Sequence, residues 1–197
     1  MPTLNLGFLA SHGGSNMQAI INACKSGQVD ANPCVVISNN SDSQALHRAK
    51  NEGIPYYHIS TATHADGVDD AMIEAFEKHN VDVIILAGYM KKLGDKVINR
   101  FKGKILNIHP ALLPKYGGKG MYGKFVHEAV LMAGEKVSGP TVHIVDIVYD
   151  HGRILAQKEV PVYPDDNVDT LSARVLEQEH ILYPETIQKI ANGEIVL

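Results

Sequence analysis

LNLGFLASHGGSNMQAIINACKSG, residues 4–27, decides the reading of the fold. Its apolar run from Leu4 to Leu9 is short and continuous, as a strand buried on both faces requires. A turn of glycine and small polar residues follows, and Asn16–Lys25 then repeats at helical spacing until Gly27 ends it. Strand, glycine turn and helix make the opening unit of a parallel sheet. The turn holds Gly13, Gly14, Ser15 and Asn16, where backbone N–H groups and the helix dipole attract a phosphate. It lacks the Lys-Ser/Thr ending of a Walker loop and is no strict GxGxxG fingerprint. Taken alone, it reads equally well as glycines that turn the chain and a Ser15 or Asn16 that caps the helix.

Working outward, further buried-strand runs lie at Cys34–Ile37, Val83–Leu86 and Ile105–Ile108. Helical patterns alternate with them: Ser43–Asn51, stopped by Gly53, and Asp69–His79, with Ala71, Met72, Ala75 and Phe76 on one face. The alternation predicts an α/β fold with a doubly wound, mostly parallel sheet. After Pro114 the order changes to α+β: a glycine-rich loop, a helix over 125–132, and β-rich runs at Thr141–Val148 and Ile154–Val160. The last periodic stretch, Val168–Ile190, has Asp165, Asp166 and Asn167 as candidate caps and Pro184 as an expected kink or break. No repeat or linker divides the chain, so residues 1–197 are expected to form one domain, with the strand pattern beginning at Thr3.

A chain that is 45 % hydrophobic and 20 % charged has the composition of a globular protein. A net charge of −4 argues against a general nucleic-acid binder, though a local site can still hold a small phosphate. Cys24 and Cys34 form no CxxC pair, and the N-terminus has no basic region before an apolar stretch. Free thiols in the cytoplasm, with no membrane association, are the expectation.

Two further segments carry chemistry. In ILNIHPALLPKY, Asn107 and His109 stand two apart at the end of a buried strand, so both project to one side. The crevice beyond strand carboxyl ends is where ligands bind in such sheets. In VHIVDIVYDHGRILAQ, Asp146 and Asp150 fall in a loop between strands. Loop aspartates beside glycine are usually turn formers; next to His109, one of them could orient the imidazole and tune its proton affinity.

Together these segments resemble the glycinamide ribonucleotide formyltransferase family across essentially the whole chain. NIHPALLPKY is similar to the family's Asn-x-His-Pro-Ser-Leu-Leu-Pro signature, with Ala111 in the serine position, and TVHIVDIVYDHGRILAQ and ARVLEQEHILYP follow at the family's spacing. The resemblance implies a formyltransferase fold, with a Rossmann-like, phosphate-binding half over 1–110 and a folate-binding half over 111–197. It implies transfer of the formyl group of 10-formyltetrahydrofolate to glycinamide ribonucleotide in purine synthesis, with Asn107, His109 and Asp150 as the catalytic trio. Gly14, Ser15 and Asn16, with Gly13 beside them, would hold the ribonucleotide phosphate, and Glu179 would contact the glycinamide end. Met90, Lys91, Lys92 and Leu93 would border the folate, and the loop from Val145 through Asp146 to Asp150 would close around the pterin.

The chain departs from the family pattern in places. His12-Gly13-Gly14 replaces a Gly-Asn-Gly order, Lys91 replaces an arginine, and His64 lies about where a phosphate-side arginine is common. The loop Gly117–Lys124 also differs from the family's Gly-x-x-x-His-x-x-Ala run, with Tyr122 and His127 nearby. In the implied chemistry Asn107 and a protonated His109 donate to the developing oxyanion while Asp150 keeps His109 charged. The scattered histidines form no recognisable metal set, so no metal is expected; His143 and His180 sit inside shared segments. A monomer or a homodimer would serve this chemistry. A deformylase using water is the nearest alternative, and it would be expected to carry an N-terminal regulatory domain. A transfer-RNA formyltransferase would carry a C-terminal one. A nucleotide-binding module without chemistry is opposed by the complete trio.

Overall fold

The computed structural model describes residues 4–197; Met1–Thr3, with the Thr3 start of the strand pattern, lie outside the described residues. β1 (Leu4–Leu9), β2 (Ala31–Ser38), β3 (Tyr56–His58), β4 (Val83–Leu86) and β5 (Ile105–His109) run parallel in the spatial order β3-β2-β1-β4-β5. The seven-stranded sheet is completed by β7 (Thr141–Ile144), antiparallel to β5, and β8 (Ile154–Gln157), antiparallel to β7. The mostly parallel, doubly wound sheet anticipated from the alternating pattern is present.

Strand residues alternate between two apolar layers. Leu6, Phe8, Val36, Ile85, Leu106 and Ile108 face α1 (Ser15–Lys25), α2 (Gln44–Asn51) and α7 (Val168–Ala191). Leu9, Val35, Ile37, Ile84, Leu86 and Ile105 face α4 (Val68–Lys78) and α5 (Asp95–Arg100). Both faces are covered, which is why the strands read as unbroken apolar runs rather than alternating ones. The winding reverses between β1 and β4, and the carboxyl ends of these strands border the crevice where open α/β sheets bind ligands. There Ser11 N donates to Gly88 O at 3.0 Å, and Met90 N donates to Ser11 Oγ at 2.7 Å.

Three expectations are corrected. The apolar run to Val148 leaves the sheet at Ile144, because the chain must reverse to bring Ile154 beside His143. Ile147, Val148 and Tyr149 are exposed, and Asp146 Oδ1 accepts from Val148 N at 2.8 Å to close a turn. The run 154–160 is likewise split: β9 (Val160–Pro161) pairs with β6 (Val137–Ser138) in a separate two-stranded sheet. Third, the break allowed for at Pro184 does not occur: α7 continues through it. The ring removes one helical hydrogen bond, yet Leu182, Tyr183 and Ile187 around it are anchored in the core, and the buried Tyr183 hydroxyl donates to Leu86 O and Leu106 O. The short elements β3, β6, α3 (Thr61–His64) and α5 have too few turns or alternations to be read from periodicity.

Candidate active site

β5 ends at the carboxyl edge of the sheet, and its residues 105, 107 and 109 share one face. The antiparallel register sets Asn107 opposite His143 and His109 opposite Thr141. His143 Nδ1 lies 3.0 Å from Ile144 O, a carbonyl that can only accept, so Nδ1 carries the proton. Nε2 of that ring then accepts from Asn107 Nδ2 at 3.1 Å. This fixes the amide of Asn107 and leaves its second N–H unpaired among the described residues.

His109 is 3 % exposed. Its Nε2 donates to Tyr116 O at 2.7 Å, so in the neutral ring the lone pair is on Nδ1, 3.6 Å from Asp150 Oδ2. Burial holds this imidazole below its ordinary value despite the carboxylate of Asp150 and the carbonyl of Tyr116. Burial thus works against the charged form of His109 anticipated from sequence, and Asp150 and the Tyr116 carbonyl work for it. Asp150 Oδ2 accepts from Gly118 N at 2.8 Å, while its Oδ1 lies 3.5 Å from His143 Nε2, which as an acceptor from Asn107 offers it no proton. Its φ of 58° is a left-handed conformation that a non-glycine residue adopts at a cost of order 1 kcal/mol or more. His127, also buried, has no partner for Nδ1 among the described residues and is held below its ordinary value by burial and then by His109.

The second cluster forms around α1. Its N-cap is Gly14, at φ 66°, and no side chain caps the helix, so the reading of Ser15 or Asn16 as a cap is set aside. A Cβ on Gly14 would lie 2.9 Å from Ala45 Cβ, which explains the glycine. The first-turn N–H groups stay uncapped by any side chain, as anion binding needs. Asn16 Nδ2 instead donates to Glu179 Oε2 at 2.6 Å, while Asn16 Oδ1 is buried without a partner among the described residues. Burial raises the Glu179 carboxyl to about 7, against the pull of the Asn16 amide. One turn further along α7, Tyr183 ties the helix to Leu86 at the end of β4 and to Leu106 near the start of β5.

Around these clusters the expected folate-side residues divide. Met90, Lys91 and Lys92 are exposed after β4, but Leu93 is 5 % exposed and packs with Val97, Ile98 and Phe101 in the core. Val145 leans on the same core layer, and Asp146 turns its carboxylate onto its own loop. His64 is exposed at the end of α3, with Nδ1 2.8 Å from Thr63 Oγ1. In the loop Gly117–Lys124, Tyr122 packs edge-on against Phe125 of α6 (Lys124–Met132), with both rings exposed.

A Formyl transferase family model matches residues 4–187. The phosphoribosylglycinamide formyltransferase of Haemophilus influenzae is 41 % identical over 194 residues, 98 % of this chain and 89 % of that protein. The chain belongs to the phosphoribosylglycinamide formyltransferase family. The chloroplastic phosphoribosylglycinamide formyltransferase of Vigna unguiculata is 42 % identical over 97 % of this chain, which spans only 62 % of that longer protein. The crystal structure of glycinamide ribonucleotide transformylase 1 from Symbiobacterium toebii superposes with a TM-score of 0.92 at 36 % identity, covering 99 % of this chain and 91 % of that one. Two residues of the site escaped the sequence reading. Tyr116 contributes a backbone carbonyl, which leaves no residue-type signal. Arg48 on α2 reaches the phosphate loop by donating from Nε to Gly13 O at 3.0 Å, which only the packing of α2 against that loop reveals.

Proposed function

We infer that this chain transfers the formyl group of 10-formyltetrahydrofolate to the amine of 5'-phosphoribosylglycinamide, giving N-formylglycinamide ribonucleotide for purine synthesis. The observation that carries the reading is the buried His109, with Nε2 committed to a carbonyl and Nδ1 turned toward Asp150. The formyl folate supplies an electrophilic carbon. In the transfer a C–N bond forms to the glycinamide amine, the C–N bond to the folate breaks, and the amine's proton passes to the folate nitrogen. His109 Nδ1 takes that proton, and the imidazolium that results is stabilised by Asp150, which has no hydrogen bond to the resting ring. The second N–H of Asn107 donates to the negative charge that develops on the formyl oxygen.

The residues fit both substrates. The uncapped first turn of α1, with Arg48 beside it, suits a phosphate, and the buried oxygen atoms of Asn16 and Glu179 suit an amide or amine. Exposed Lys91 and Lys92 suit the carboxylates of a folate. On this reading the half 1–110 of one domain carries the phosphate-binding turn and the half 111–197 the loop from Val145 to Asp150, while Lys91 and Lys92 of the first half serve the folate and Glu179 of the second the glycinamide end. Among the described residues no helix is long and apolar enough to cross a membrane; we place the enzyme in the cytoplasm, as a monomer or homodimer.

The test is the absorbance change of 10-formyltetrahydrofolate, or its dideaza analogue, with the pure protein. Release that requires the ribonucleotide and vanishes in His109→Ala is the expected result. Release without the ribonucleotide would make the protein a hydrolase, and none under either condition would overturn the reading.

A further inference from the structure

His109 is held by the carbonyl of Tyr116, three residues beyond Leu113, whose side chain is buried and whose N and O pair with Thr141 Oγ1 and Gln157 Nε2. Leu112, Leu113, Pro114, Lys115 and Tyr116 line one side of a cavity of about 340 Å³. Beyond Tyr116 the chain runs into Gly117 and Gly118. Tyr116 itself has φ 56°, a left-handed conformation that a non-glycine residue keeps only when its surroundings impose it. The partner of its phenol stands across the cavity. Glu135, in the turn after α6, accepts on one oxygen, Oε1, from both the Tyr116 hydroxyl at 2.9 Å and Lys115 Nζ at 2.8 Å. The ammonium of Lys115 is exposed and adds little; the phenol is the firmer hold, since Tyr116 also packs its ring on the cluster of Val130, Val160, Leu171 and Val175.

We propose that Glu135 is a positioning residue for the formyl transfer: through the Tyr116 hydroxyl it holds the Tyr116 carbonyl against His109 Nε2, and so keeps the lone pair of neutral His109 on Nδ1. The inference rests on the transfer reading for its kinetic consequence but not for its structural one. Without the carbonyl, the neutral imidazole is free to carry its proton on either nitrogen, and the tautomer with Nδ1–H turns that hydrogen to Asp150 and cannot accept from the amine.

The test compares Tyr116→Phe, Glu135→Ala and Glu135→Gln by nitrogen-15 NMR of the His109 ring above its titration range, together with steady-state kinetics. The native protein is expected to show a single Nε2–H tautomer. Tyr116→Phe and Glu135→Ala should mix the tautomers and lower kcat about tenfold or more with the ribonucleotide KM nearly unchanged, as loss of alignment does. Glu135→Gln, whose amide oxygen still accepts from the phenol, should keep both native values. A single Nε2–H tautomer in folded Tyr116→Phe overturns the proposal, and that variant decides it alone if Glu135→Ala fails to fold. Mixed tautomers in the variants of a protein that transfers no formyl group would support the latch while refuting the transfer reading.

Discussion

Glu179 is a carboxyl group placed where its charge is penalised. Burial lifts it to about 7, and only the Asn16 amide opposes that shift. A folded-state value above the unfolded one means a contribution fully present below the unfolded value and lost as pH rises through about 7. Glu179→Gln keeps an acceptor for Asn16 and removes the charge, so it should stabilise the protein at pH 8 by up to roughly 3 kcal/mol and leave stability near pH 4.5 unchanged. Urea unfolding at the two pH values measures this; equal differences at both would show that Glu179 ionises without cost. Legibility at this scale was uneven. Asn107 and His109 stood out as residue types, Asp150 was separated from Asp146 by the family resemblance, and the structure brings Asn107, His109 and Asp150 into one cluster with His143. The penalty that burial puts on a charged His109 was not legible, because it depends on how much water the fold excludes. Nor was Leu93, whose apolar side chain serves the core.

At the scale of elements, α7 carries Glu179 and Tyr183 to the sheet edge, so its first turn matters to the site. Asn167 caps it, its Oδ1 accepting from Asp169 N at 2.9 Å and Thr170 N at 3.0 Å, while Thr170 Oγ1 returns a bond from Asn167 N at 3.0 Å. Asn167→Ala should cost about 1 kcal/mol in thermal or urea unfolding, with the fold retained. An unchanged midpoint would mean that core anchoring through Tyr183 alone holds the helix start. The long helices and buried strands were readable because each repeats its period several times. The boundary at Ile144 was not: Val145, Ile147 and Val148 have strand chemistry, and the reversal that exposes the last two is imposed by β8 pairing with β7 and by Gly152, which leaves no room for a Cβ against the Ile144 carbonyl. Pro184 misled in the opposite direction, since tertiary anchoring outweighs one lost helical hydrogen bond.

Across the whole molecule, burial holds several histidines below their ordinary value: His109, His127, His143, His180 and, less deeply, His79. Their unfolded forms bind protons first, so the stability they contribute is full above about pH 6.5 and is lost as pH falls through their lowered folded values. The unfolding midpoint should therefore drop between pH 7 and pH 5, with Glu179 opposing the trend throughout that range. A His127→Gln variant should show a shallower drop in a pH series of urea melts, and an identical slope would remove His127 from the linkage. The doubly wound sheet and the place of Asn107 and His109 at its carboxyl edge were determined by the sequence itself, because period, glycine turns and strand-end polar residues are local patterns. Tertiary structure alone decided which nitrogen of His109 is available, that Asn16 turns to Glu179, and that Arg48 and Tyr116 join the site. Those outcomes depend on desolvation and on contacts between segments far apart in the chain, and such quantities exist only once the layers have packed.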